Sequence, residues 1–270
     1  MPMPRLTDPA HRSAVGVAGS ALLTACQPGT PSRPGLTPQQ RLMALAAGIG
    51  GSPDDDTAQL PYTYLHTQTW ARSTDAITRT DLRRWRRKAD CSGQEAVRHL
   101  PDLPGVDHQP RSQERHLLAR SPKTTTRHAA GSLRPHLPEP LPADPAVLIG
   151  QLVSRGLVAE PTNSRTLAGG VIGLAVSQYL NRDQRATCLR ALADLPGITY
   201  GGEARDVAGR LGLAFTVIAD GSTTTLVVDA RTGELLAAEE RVSGNRPGLL
   251  SYVLILERGH TARPGAAIRP

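Results

Sequence analysis

Apolar positions along the chain switch between two periods, and the switch separates helical from extended stretches. Leu42, Leu45 and Ile49, with Met43 and Ala46 alongside, recur every three or four residues and predict a helix over 38–49. Gly50-Gly51 and an Asp-rich turn end it. Over 61–70 the period falls to two. Tyr62, Tyr64, His66, Gln68 and Trp70 share one side, and Thr63, Leu65, Thr67 and Thr69 the other. Aromatic and β-branched residues in that alternation predict a strand. Residues 80–90 supply its hairpin partner, with Leu82, Arg84, Arg86 and Lys88 on one face and Arg83, Trp85 and Arg87 on the other. Residues 95–100 give a third, shorter strand. Between 101 and 140, Pro110, Pro122, Pro135, Pro138 and Pro140 punctuate a segment poor in aliphatics. It is expected to be a long irregular, basic excursion with one brief helix over 112–118.

The second half is more regular. Asp144 can cap a helix that starts at Pro145 and carries Val147, Leu148, Leu152 and Val153 on its apolar face. A second helix over 165–180 presents Leu167, Val171, Ile172 and Leu174. Asp183 can cap a third, bearing Ala186, Leu189, Leu192 and Ala193, which Pro196-Gly197 stops. These three are expected to pack as one layer. From Ile198 onward the period is two, with Leu211, Leu213, Phe215 and Val217 alternating, then turns at Asp220-Gly221 and Thr232-Gly233. Leu235 and Ala237 share a face of the next strand, and Tyr252, Leu254 and Leu256 a face of the last. Turns this local make an antiparallel meander. The fold class is therefore α+β.

The amino terminus has a different character. Arg5, His11 and Arg12 precede an uncharged run of small apolar residues from Ser13 to Leu23, too short for a spanning helix, which needs about 20 residues. Leu23-Thr24-Ala25-Cys26 follows and resembles the lipobox of bacterial lipoproteins. That resemblance implies a signal peptide over 1–25, acylation of Cys26, and a lipid anchor on the extracytoplasmic side of the cell membrane; two acyl chains hold a protein firmly where one does not. Asp8 and the weak hydrophobicity of the run leave plain secretion or a cytoplasmic start as alternatives. The Pro-rich stretch to residue 38 reads as a tether to a single domain over 39–265. Setting Cys26 aside leaves Cys91 and Cys188, which could form one disulfide in an oxidising compartment or remain two thiols.

Charge adds one local feature. The net charge is +7, and all of that excess falls between Arg72 and Arg134. Arg83, Arg84, Arg86, Arg87 and Lys88 form its densest patch. Such a patch is either a solvated surface or a site attracted to anionic headgroups or wall phosphates. Nucleic acid is disfavoured, since no reading motif accompanies the charge. Arg supplies nearly all the basic residues, as in GC-rich coding, which lowers the weight of the pI near 9.9. The strong catalytic and metal motifs are absent from the sequence: no His-Glu-x-x-His, Gly-x-Ser-x-Gly, phosphate-binding loop or dinucleotide fingerprint occurs. No cofactor, metal site or catalytic residue is therefore expected, and a hydrolase is the weakest reading.

Several segments together resemble a family of uncharacterised actinobacterial extracytoplasmic proteins. They are 62–70, the strand around Trp85, Ser92-Gly93, 100–105, 141–146, 189–197, 229–236 and 251–259. Many members of that family carry an amino-terminal membrane segment. More distantly, the architecture resembles the curved antiparallel half-barrel of periplasmic lipoprotein carriers and of sensors that modulate anti-sigma factors, although no ligand residue carries over. The likeness implies a half-barrel-like sheet packed with about three helices. Tyr62, Tyr64, Leu213, Phe215, Leu254 and Leu256 would then line a concavity for an apolar or lipid ligand, unless they only pack beneath the helices. The alternative function is a protein-interaction module in envelope signalling.

Overall fold

The structure, a computed structural model, describes residues 35–155 and 164–268. The leader, Cys26 and most of the expected tether lie outside the described residues. Thr37 opens α1 (Pro38–Gly48): its hydroxyl accepts from the Gln40 amide, and the Gln40 side chain accepts from the Thr37 amide in return. A short 3-10 helix (Pro53–Thr57) follows. The first strands are β1 (Tyr62–Arg72), β2 (Ala76–Arg87) and β3 (Gly93–Pro104). The segment 101–140 is less irregular than expected, because α2 (Ser112–Arg120) and β4 (Lys123–His128) both form in it. Strand β4 is Lys-Thr-Thr-Thr-Arg-His. It has β-branched residues but no apolar alternation, so its pairing with β3 alone makes it visible.

Three helices come next: α3 (Pro145–Arg155), α4 (Ser164–Ser177) and α5 (Arg182–Ala193). The Asp144 carboxylate accepts from the Ala146 amide at 2.8 Å, as its capping position requires. Helix α5 starts differently from expectation. Asn181, not Asp183, is its cap, exchanging bonds with Gln184, and Asp183 lies inside the first turn. The chain ends in five strands, β5 (Thr199–Arg205), β6 (Leu211–Ala219), β7 (Ser222–Val228), β8 (Leu235–Val242) and β9 (Gly248–Thr261).

The nine strands among the described residues form one antiparallel sheet in the order β4-β3-β2-β1-β9-β8-β7-β6-β5. Two meanders, one from each half of the chain, are joined where the first strand pairs with the last, from Tyr62 opposite Thr261 to Ala71 opposite Ser251. The expected half-barrel does not form: the sheet is open, neither closed nor strongly curled, and five helices accompany it among the described residues.

The distribution of apolar residues gives the reason. A half-barrel gathers its ligand-facing side chains on one concave face, whereas here they divide between two. Phe215, Leu226, Ala238 and Ile255 pack under α1, α3, α4 and α5. Val227, Ala237, Tyr252 and Leu254 pack on the opposite face with Trp70, Ile77 and Leu118 of α2. The sheet is thus a middle layer with cover on both sides.

Following the pairings from strand to strand gives two neighbouring cross-sheet rows. On the helix side the row runs Tyr200, Phe215, Leu226, Ala238, Val253, Thr69, Thr80, His99. On the other side it runs Ala214, Val227, Ala237, Leu254, Gln68, Asp81, Arg98, Lys123. Both change from apolar to polar at β1. The sheet therefore has an apolar half and a polar half, and the polar half ends in charge at β4.

Candidate functional site

Strand β1 positions the polar half's central cluster. Its alternation sends Tyr64, His66, Gln68 and Trp70 to one face, opposite Trp85, Arg83, Asp81 and Arg79 of β2. His66 Nε2 lies 2.9 Å from Asp81 Oδ2, to which the Gln68 amide donates at 2.8 Å. The other ring nitrogen, Nδ1, lies 3.4 Å from Glu257 Oε2 on β9, at ion-pair rather than hydrogen-bonding distance. Tyr64 donates its hydroxyl to the same oxygen at 2.7 Å.

Burial pulls the His66 pKa down, but the two carboxylates outweigh it and the pKa is raised. Burial pushes Asp81 up, yet the His66 bond prevails and holds it below the usual carboxylate range. The His66 imidazole beside Glu257 is the main reason that its pKa falls to about 2, against an opposing push from burial. Burial, then the Glu257 bond, raises the Tyr64 phenol.

A His–Asp pair is the base half of a nucleophilic triad. Here both ring nitrogens face carboxylates, and His66 and Asp81 are 5% and 1% exposed. The cluster ties β1, β2 and β9 together, with both ring nitrogens of His66 turned to carboxylates.

Helix α2 docks beside it through one acid. Glu114 accepts from Trp70 Nε1 at 2.7 Å and lies 3.0 Å from His108 Nε2 and 3.7 Å from Arg79. The backbone carbonyl of Arg115 accepts from Gln68 at 3.2 Å. With its acid turned to the sheet, α2 leaves Arg111 and Arg120 exposed.

A second buried charge, Arg185 on α5, donates to Asp55 at 3.0 Å and to the Thr232 and Leu180 carbonyls. Tyr179 donates to Asp55 at 2.7 Å, and Arg258 and Arg185 both approach Glu234. These bonds fasten the 3-10 segment and α5 to the sheet. A void of about 20 Å³ beside them, room for one water, is bordered by Val171, Cys188 and Leu235 among others.

The six residues expected to line one concavity are not brought together. Tyr64 packs with Trp85, Ala96, Tyr62 and Ile268. Leu254 and Leu256 belong to the α2 side. Phe215 and Leu213 belong to the opposite face, under the helices. The basic patch also divides. Arg83 shares the His66 face; Arg84 pairs with Glu95 at 2.6 Å and Arg86 with Glu139 at 2.6 Å on the other; Arg87 and Lys88 are exposed at the strand end.

Cys91 and Cys188 are two separate thiols, not a disulfide. Cys188 is sealed in the helical core, where burial raises its pKa to about 12. Cys91 sits in the β2–β3 turn at φ 55°, beside an open cleft of about 540 Å³ lined by Asp90, Gly131, Arg134, Pro135 and Pro138. Among the described residues no cluster of His, Cys, Asp and Glu could hold a metal ion, and no helix is long and apolar enough to cross a membrane.

Sequence reasoning grouped Tyr64, His66 and Gln68 correctly on one face but missed Glu257, which reaches them only through the β1–β9 pairing. It also missed β4. That strand is exposed from Lys123 to Arg127, and these two residues have no ion-pair partner among the described residues. No protein-family model and no curated protein matches the chain.

Proposed function

We propose that the chain is a lipid-anchored, extracytoplasmic interaction domain that binds a protein partner, rather than a carrier of a lipid in a concavity. The observation that carries this reading is the division of the six expected wall residues between opposite, separately packed faces of an open sheet. Each of those apolar side chains already has a protein neighbour, so lipid binding would have to displace packing worth about 25 cal/mol per Å². The anchoring half of the proposal rests on Leu23-Thr24-Ala25-Cys26 and on the resemblance to extracytoplasmic proteins.

Two experiments test it. Native mass spectrometry of the membrane-extracted protein should give the mass of the acylated chain alone, and a stoichiometric co-purifying lipid would overturn the interaction reading. Radiolabelled palmitate should enter the wild type and not Cys26→Ser, which should move to the soluble fraction. Unchanged membrane retention of Cys26→Ser would defeat the anchor.

A further inference from the structure

We infer that the open edge of β4 is a docking site for an extended, acidic segment of a partner protein; this rests on the interaction reading above. Hydrogen-bond direction comes first. The Lys88 amide donates to the Pro61 carbonyl and the Arg87 amide to the Ser92 carbonyl, so even positions of β2 face β1 and odd positions face β3. Continuing through the register, Gly93, Glu95 and Val97 of β3 face His128, Thr126 and Thr124 of β4. Lys123, Thr125 and Arg127 therefore aim their amides and carbonyls away from the sheet, at an edge where no further strand pairs among the described residues. A free edge of this kind accepts an added strand, whose backbone provides affinity and whose alternate side chains provide specificity.

Charge selects the occupant. Lys123 and Arg127 lie on the same side as Arg98, and Arg111, Arg120 and Arg134 are exposed nearby in sequence. Between His108 and Pro138 the only acidic residue is Glu114, which is turned to the sheet. A second copy is a poor occupant: antiparallel pairing centred on Thr125 sets Lys123 against Arg127 twice. A strand with acids spaced to meet both, and a β-branched residue opposite Thr125, satisfies backbone and charge together.

The probe is a fluorescent acetyl-Thr-Glu-Val-Thr-Val-Glu-Thr-amide, titrated with the mature chain and compared with its twin carrying Lys for both Glu. The acidic peptide should bind, more weakly as salt rises, and the basic twin at least about tenfold less well. Thr125→Pro deletes an outward amide and spares the β3–β4 ladder, so affinity should fall by about tenfold with the melting temperature little changed. Should that variant not fold, Lys123→Glu with Arg127→Glu carries the test by inverting the peptide preference. Absence of peptide binding, or equal binding by Thr125→Pro, overturns the edge assignment and leaves the interaction reading intact, since that reading fails only on a co-purifying lipid. Phosphatidylglycerol vesicles bound through Lys123 and Arg127 without peptide binding would overturn it in favour of a membrane surface, and a dimer abolished by Thr125→Pro in favour of a second copy.

Discussion

Asp81→Asn keeps the shape of the buried polar row and removes one of the two carboxylates that flank His66. The imidazolium would then face only Glu257, whose side chain is half exposed. Breaking a buried pair by removing one partner costs about 3–5 kcal/mol. An asparagine oxygen can still accept from Gln68, which places the cost near the lower end, about 3 kcal/mol. In a domain of this size that lowers the melting temperature by roughly 6–12 °C.

The pH dependence identifies the cause. The folded pKa of His66 is raised above 6.5, so its stabilisation is complete below 6.5 and is lost as pH rises through the folded value. The carboxylates act oppositely. Glu257 stabilises above 4.5 and loses this as pH falls toward about 2, and Asp81, also lowered, follows the same direction. Arg83, Tyr64 and Gln68 complete the surroundings of the ring. The cost of Asp81→Asn should therefore be greatest between 4.5 and 6.5 and shrink at higher pH. Urea unfolding of both proteins from about pH 5 to about pH 9 measures it. A difference that stays constant or grows with pH would refute the charged imidazole.

Phe215→Ala and Leu254→Ala should each destabilise by about 2–5 kcal/mol, and, lying on opposite faces three strands apart, should add to within about 0.5 kcal/mol; strong coupling in a double-mutant cycle would place them in one cluster after all. In a Cys26→Ser background, a maleimide should label Cys91 in the native protein and Cys188 only after unfolding, and non-reducing conditions should not raise the melting temperature. Gly93→Ala would put a Cβ 1.9 Å from the Trp85 carbonyl, so β2 and β3 must part; thermal melting should show a loss well above the roughly 1 kcal/mol typical of point substitutions.

Most elements were legible because each writes its own period. Leu42 with Ile49, Leu211 with Val217, and the Asp220-Gly221 turn specify local structure from neighbours in sequence. Three things were not legible, for related reasons. The join of β1 to β9 depends on two strands nearly two hundred residues apart, and with it the meeting of His66 and Glu257. Strand β4, exposed from Lys123 to Arg127, has a polar composition that a loop shares, so only its partner defines it. Sheet curvature depends on which residues share a face across many strands. Leu213 and Leu254 alternate alike within their own strands, and only the pairing rows send them to opposite sides.

Those rows also explain why the polar half of the sheet is not a flaw in the core. A strand pair buried beneath helices must be apolar on the covered face, and Leu226, Ala238 and Val253 meet that demand. Past β1 the helix-side row continues as Thr69, Thr80 and His99, side chains suited to a less completely covered surface. The opposite row buries Gln68 and Asp81 beneath α2 with only part of their polar groups paired: His66 and the Gln68 amide both meet Asp81 Oδ2, and the Arg115 carbonyl accepts from Gln68. The local acids Asp81, Glu257, Glu114 and Glu95 are engaged in holding strands and α2 together, while Lys123 and Arg127 stay exposed on β4. The buried acids thus serve stability while the basic edge at β4 stays available to an acidic partner strand, so Asp81→Asn should lower the melting temperature without altering the charge that such a strand would meet.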